Sequence, residues 1–158
     1  MSQQREAAIY LVRHAKAGSR SAWAGDDSTR PLVDEGFAQA KVIATRLAPL
    51  HPVRLVASPY LRCRQTLEPL AEMTSLMVEP VEALREGTDT DTALNFLASL
   101  ADGSVACSHG DVIPAVLKRL EWHGLDIVDW PDTRKGSVCR LERHEGTFVR
   151  ASFSPPPR

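Results

Sequence analysis

Three short runs in this chain set side by side residues that do chemistry on phosphorus. Arg13-His14 closes an apolar run, Ser58-Pro59 is followed by Arg62, and Ser108-His109-Gly110 closes a second apolar run. A neutral imidazole is an adequate nucleophile toward phosphorus, and its attack leaves a covalent phosphohistidine. A second imidazole, protonated, stabilises charge on the transferring phosphoryl oxygens. With an unperturbed pKa of ~6.5, histidine fills either role near neutral pH. Two guanidiniums turned inward repel each other unless an anion lies between them. A phosphoryl group suits that place because arginine grips it bidentately. Guanidiniums and an imidazolium would neutralise the charge without a metal, so neither metal nor other cofactor is expected.

The elements that must position these residues alternate in type. Ala7–Arg13 reads as a buried strand, followed by a polar loop to about Pro31. Asp34 is expected to cap a helix carrying Phe37, Ala40, Ala44 and Leu47, which Pro49 stops. A strand over Val53–Ala57 leads into Ser58 as N-cap and Pro59 at the first position of a helix running to about Met73. Pro69 predicts a kink there, or an end near Leu67. Leu76–Val81 is a candidate third strand, and Leu84–Gly87 a loop. A helix from about Asp91 to Ala101 sets Leu94, Leu97 and Ala101 on one side, and the strand Ser104–Ser108 and a helix over Val112–Glu121 follow. Gly136–Glu142 and Thr147–Phe153 form a hairpin around His144-Glu145-Gly146. This order predicts an α/β fold, a three-layer α/β/α sandwich with a mostly parallel central sheet and a C-terminal β-hairpin at one edge. Sites in such sheets lie at the carboxyl ends of the strands, where the three runs fall.

Composition narrows the class further. The 158 residues suit one domain, with a core of about 7–153 and a frayed tail over 154–158. A net charge of −1 leaves no electrostatic footprint for nucleic acid or an anionic membrane. Apolar stretches fall short of the ~18 residues of a membrane helix. MSQQREAAIYLVRH carries no leader-like apolar segment, so the cytoplasm is the expected location. Cys63, Cys107 and Cys139, odd in number and unpaired in spacing, read as reduced structural thiols. Fifteen of the 19 basic residues are arginine, which suits a demand for forked donors but also follows from codon bias.

Leu11-Val12-Arg13-His14-Ala15, Ser58-Pro59-Tyr60-Leu61-Arg62-Cys63-Arg64-Gln65-Thr66 and Cys107-Ser108-His109-Gly110 together resemble the motifs of the histidine phosphatase superfamily. His14 and Arg62 stand 48 residues apart, Arg62 and His109 stand 47 apart, and the resemblance covers roughly Ile9 to Val149. It implies that His14 is the phosphorylated nucleophile, that Arg13 and Arg62 clamp the phosphoryl oxygens, and that His109 completes the pocket. The compact length is closest to SixA-type phosphohistidine phosphatases. The Lys16–Leu32 stretch is also similar to the phosphatase domain appended to some Nudix nucleotide hydrolases, although no Nudix signature occurs here. Ala15 replaces the family's usual glycine, a change small enough for phosphate still to approach the backbone. The family's proton-donating Glu is best matched by Glu86; Glu82, Asp89 and water compete for that role. An alkoxide leaving group needs such a proton far more than an imidazole does.

The expected substrate is a protein phosphohistidine, with a nucleotide or other small phosphorylated metabolite as the alternative. A non-catalytic phosphate-binding domain is the alternative of another class. Oligomeric state is not written in the sequence. Arg64, His51, His123 and His144 are expected at the surface. Trp23 either stacks on substrate or pins its loop. Lys16, Arg20 and Arg30 form either a basic rim or a loop held by Asp26 and Asp27. Cys107, on a buried strand, is not expected to act as a nucleophile. Asp126–Thr133, with Trp130, hints at a contact surface.

Overall fold

Strand β1 (Ala8–Arg13) sends alternate side chains to two separate cores, as a strand covered on both faces must. Ile9 and Leu11 pack with Val56 and Ala106 against helices on one face, and Tyr10 and Val12 pack with Leu55, Val105 and Cys107 on the other. The computed structural model describes residues 7–158. The helices are α1 (Asp34–Leu47), α2 (Leu61–Thr74), α3 (Thr90–Ser99) and α4 (Val112–Trp122). The remaining strands are β2 (Arg54–Ala57), β3 (Val78–Pro80), β4 (Ser104–Ser108), β5 (Asp126–Ile127), β6 (Val138–His144) and β7 (Thr147–Ser154). α3 and α4 bury Ala93, Leu97, Val112, Ile113 and Val116 on the Ile9 face, and α1 and α2 bury Ile43, Ala44, Leu67 and Leu70 on the Tyr10 face.

The sheet runs β3-β2-β4-β1-β6-β7-β5. Four of its six pairings are parallel, and β6 is antiparallel to both β1 and β7. The three-layer, mostly parallel sandwich is therefore present. β1 and β4 end in register, with Arg13 opposite Ser108, which brings His14 and His109 to neighbouring positions. β2 flanks β4 on its other side, with Ala57 opposite Cys107, and delivers Ser58 to the same end.

Several local expectations are corrected. The hairpin is not outermost, because the two-residue β5 adds parallel to β7 beyond it. Asp34 is the first helical residue and Val33 the cap. Tyr60, not Ser58, caps α2, and the Ser58 hydroxyl instead accepts from the Tyr60 amide at 3.2 Å. α2 continues through Pro69 to Thr74. An interior proline costs about 3 kcal/mol, but Leu67 and Leu70 on either side are fully buried, and each stabilises the helical course by about 1.5–3 kcal/mol. Ala101 lies outside α3 and is exposed, so Ala93 rather than Ala101 joins Leu97 in the core. Pro80 is tolerated because β3 is an edge strand. In the tail expected to fray, Pro157 is buried and its carbonyl accepts from the Gln39 side chain at 3.4 Å. Gly36 lets α1 lie against the loop after β1: a Cβ there would stand 2.0 Å from the Lys16 carbonyl oxygen.

Candidate active site

His14 follows the last residue of β1, and its amide donates to the Ser108 carbonyl at 3.1 Å, tying the ends of β1 and β4 together. Its side chain is buried, and Nδ1 lies 2.8 Å from the Ala15 carbonyl oxygen. A carbonyl only accepts, so Nδ1 carries the proton and Nε2 holds the lone pair. Burial pushes the pKa of this imidazole down to about 3, and the charges of His109, Arg62 and Arg13 work in the same direction against the Ala15 hydrogen bond. His14 is therefore neutral at pH 7. Ala15 is itself fixed, its amide donating to the Thr66 hydroxyl of α2 at 3.0 Å.

His109 stands edge-on to His14, with ring centroids 5.5 Å apart. Its Nε2 is within 2.8 Å of the Ser58 hydroxyl, and Tyr60 packs against its ring at 4.9 Å. Arg62 projects from the first turn of α2 and is fully buried. Its two terminal nitrogens donate to the carbonyl and the carboxylate of Asp27, at 2.9 and 3.0 Å. The Tyr60 ring lies 4.9 Å beneath the guanidinium, which stands 3.5 Å from Glu86. Arg13 donates to the Thr133 carbonyl at 3.0 Å. Gly110 is required by this arginine, because a Cβ at that position would lie 2.5 Å from the guanidinium carbon. Nε of Arg13, Nε of Arg62 and Nδ1 of His109 are buried without a hydrogen-bond partner among the described residues. The two guanidinium Nε–H groups are orphaned donors, which cost free energy unless an acceptor reaches them, and His109 Nδ1 joins them when it carries the ring proton. An oxyanion is the fitting acceptor.

Part of this cluster borders a cleft of about 310 Å³. Arg13, His14 and Glu86 line it, as do Arg20, Arg30, Gly110, Asp111 and Lys135. Arg62 and His109 lie behind that wall, in contact with Glu86 and His14 respectively. Of the three carboxylates considered for proton donation, Glu86 alone lines the cleft. Asp89 caps α3 by accepting from the Thr92 amide, and exposed Glu82 faces Arg85 at 3.9 Å.

The loop after β1 is held by its acids rather than left as a free basic rim. Asp27 accepts from Arg30 at 2.9 Å as well as from Arg62. Partial burial pushes the Asp27 carboxyl up, but these two arginines outweigh it and hold it below its ordinary value. Arg20 pairs with Glu86 at 2.8 Å and Lys16 with Glu35 at 2.7 Å. Trp23 pins the same loop, its indole donating to the Asp26 carbonyl at 2.9 Å. Arg64, His51, His123 and His144 are exposed. All three cysteines are buried, and burial keeps Cys107 and Cys139 as thiols, the latter pushed up to about 12. Among the described residues no group of three or more His, Cys, Asp or Glu side chains is placed to hold a metal ion, and no helix is long and apolar enough to cross a membrane.

Sequence reasoning missed Asp27 as the counter-ion of Arg62, Ser58 as the partner of His109, and Lys135 at the cleft wall. Asp27 had a usable signal: an acid in a loop that must fold over the first motif, beside a buried arginine that needs a partner. Lys135 had none, because only the antiparallel return of β6 brings its loop beside Arg13.

The family model of the histidine phosphatase superfamily (branch 1) matches residues 9–93. The chain is 34% identical to the 8-oxo-(d)GTP phosphatase of Mycolicibacterium smegmatis over 94% of its own length and 48% of that protein. It spans about half or less of the length of the curated relatives it matches first. Among solved structures, the protein histidine phosphatase SixA complexed with tungstate superposes with a TM-score of 0.73 at 21% identity, covering 93% of this chain and 94% of that one. A mycobacterial glucosyl-3-phosphoglycerate phosphatase superposes with a TM-score of 0.68 at 16% identity, over 93% and 97% of the two chains.

Proposed function

Because the chain belongs to the histidine phosphatase superfamily, we propose that it is a phosphatase that works through a phosphohistidine on His14. The observation that carries this reading is the hydrogen bond from His14 Nδ1 to the Ala15 carbonyl, which leaves Nε2 unprotonated beside two guanidiniums and a second imidazole. In the first half-reaction Nε2 attacks phosphorus in line. The bond between phosphorus and the leaving group breaks, and its electron pair departs with the leaving group, which takes a proton from water or, when Glu86 carries one, from Glu86. In the second half-reaction a water oxygen attacks phosphorus and gives up a proton to Glu86 or to solvent, the P–N bond returns its pair to Nε2, and inorganic phosphate leaves. Arg13, Arg62 and His109 hold the phosphoryl oxygens throughout.

We read the substrate as a small phosphorylated molecule of the nucleotide class. Two observations support this. The relative that shares 34% identity over nearly the whole chain is named for a nucleotide, and the cleft carries Glu86, an acid that an oxygen leaving group needs. A protein phosphohistidine is the second reading, favoured by a cleft bordered by short segments after β1, β3, β4 and β5, with no inserted domain over it among the described residues. The test compares kcat/KM for guanosine triphosphate, guanosine diphosphate, a sugar phosphate and a phosphohistidine peptide. Preference for a guanosine nucleotide is expected. Preference for the peptide selects the second reading, and no turnover of any of them contradicts both.

A further inference from the structure

Lys135 stands on the cleft wall in a segment whose course is fixed from both sides. The Gly136 amide donates to the carbonyls of Arg13 and His14 at 3.2 and 3.1 Å. The Arg13 amide donates to the Ser137 carbonyl at 3.1 Å, and the Arg13 side chain donates to the Thr133 carbonyl. Residues 133–137 are thus hydrogen-bonded directly to the strand end that delivers His14. Gly136 has φ of +84°, a left-handed turn that suits glycine and brings the segment back toward β6.

Of the other cations in and beside the cleft, Arg13 donates to the Thr133 carbonyl and the rest have carboxylates. Arg20 pairs with Glu86, Arg30 with Asp27, Lys16 with Glu35, and Arg134 with Asp132 at 2.6 Å. Asp111 also lines the cleft, and its carboxylate accepts from the Gly87 amide at 2.8 Å. Lys135 forms no ion pair with a carboxylate among the described residues. Partial burial weakens its charged form, and Arg13, Arg30, Arg62 and Lys16 add repulsion. A cation kept in such company favours an anion at its side.

The phosphoryl group in transfer already has Arg13, Arg62 and His109. Resting on the reading that His14 is the nucleophile, we infer that Lys135 is a specificity-determining residue that receives a second phosphate, one carried by the leaving group. The site then prefers a phosphoanhydride, a terminal phosphoryl attached to another phosphate, over a simple monoester. An ammonium suits this task as a compact charge that follows a mobile phosphate chain, whereas the planar forks of Arg13 and Arg62 fix the reacting group.

The experiment measures kcat/KM for guanosine diphosphate and for phenyl phosphate with the unmodified protein, Lys135→Met and Lys135→Arg, with His14→Ala alongside. Lys135→Met is expected to lower the ratio of diphosphate to monoester activity about tenfold, mainly through KM, in keeping with the loss of one charge-assisted hydrogen bond. Lys135→Arg is expected to recover most of that ratio. An unchanged ratio in Lys135→Met overturns the inference, as does an unmodified protein that hydrolyses phenyl phosphate but not the diphosphate. Both results leave the mechanism standing. Turnover that persists in His14→Ala overturns the mechanism instead, and with it the inference that rests on it.

Discussion

Asp27 accepts two hydrogen bonds from the single guanidinium of Arg62, one at its carbonyl (2.9 Å) and one at its carboxylate (3.0 Å). Arg62 is fully buried, so its direction is set by this neighbour and by the Tyr60 ring beneath it. On the proposed mechanism, Asp27 is a positioning residue that acts on phosphate through Arg62. Asp27→Ala keeps the carbonyl and loses the carboxylate. Its expected cost is about 1–3 kcal/mol in stability, that of leaving a buried donor of Arg62 unsatisfied. A stability loss alone would leave kcat/KM at a temperature far below Tm unchanged. We expect it to fall at least tenfold there, with a parallel loss of vanadate affinity, and Asp27→Glu to recover part of both.

Gly110 and Arg13 share space that a methyl group would fill. Gly110→Ala places a Cβ 2.5 Å from the guanidinium carbon, so Arg13 must swing away and give up the Thr133 carbonyl. The expected result is a loss of kcat/KM of about 10–100-fold, the size expected for misplacing one charged donor by an ångström. Thermal stability should change much less. Crystals of the variant soaked with phosphate would show where the guanidinium goes; an unmoved Arg13 with full activity contradicts the packing argument.

Acid should not disarm the proposed nucleophile, His14, in the usual histidine range. The folded-state pKa of His14 lies below its unfolded value, about 3 against 6.5, so folding favours the neutral ring. This contribution to stability is complete above pH 6.5 and is lost as pH falls from there toward 3. Nitrogen NMR of the labelled protein should show His14 as the Nδ1–H tautomer with no titration between pH 5 and 8. A midpoint near 6.5 at this residue contradicts the assignment.

Glu86 is expected to matter in proportion to how badly the leaving group needs a proton. Its ion pair with Arg20 is exposed and contributes little to stability, and buried Arg62, 3.5 Å away, keeps Asp27 as its partner, so Glu86→Gln should fold normally. The ratio of activity on an alkyl phosphate to that on p-nitrophenyl phosphate should drop about 100-fold, within the usual contribution of a general acid. An equal fall on both substrates would make Glu86 a partner of Arg62 rather than a proton donor.

Much of this arrangement was legible in the chain because its signals are short-range. Ala8–Arg13 and Ser104–Ser108 are buried β-rich runs, and parallel pairing then forces Arg13-His14 and His109 to one edge. What escaped the sequence depends on contacts between distant segments. The capping roles of Asp34 and Ser58 went astray because each helix begins where packing starts it rather than at the nearest capping side chain. Pro69 misled because local propensity says nothing of the two leucines buried beside it. The 121 residues between Arg13 and Lys135 hide the lysine from any local pattern, and only the register of β6 on β1 places it.

The central claim is covalent and is tested by trapping the covalent state. The protein is mixed with terminally ³²P-labelled guanosine diphosphate, quenched within milliseconds in alkali, which spares phosphohistidine, and the label is located by fragmentation of the peptide spanning Ala8–Arg20. We predict one phosphoryl group on His14, formed in a burst before steady turnover and absent from His14→Ala. Turnover without any label, or label on a residue other than His14, would contradict the account.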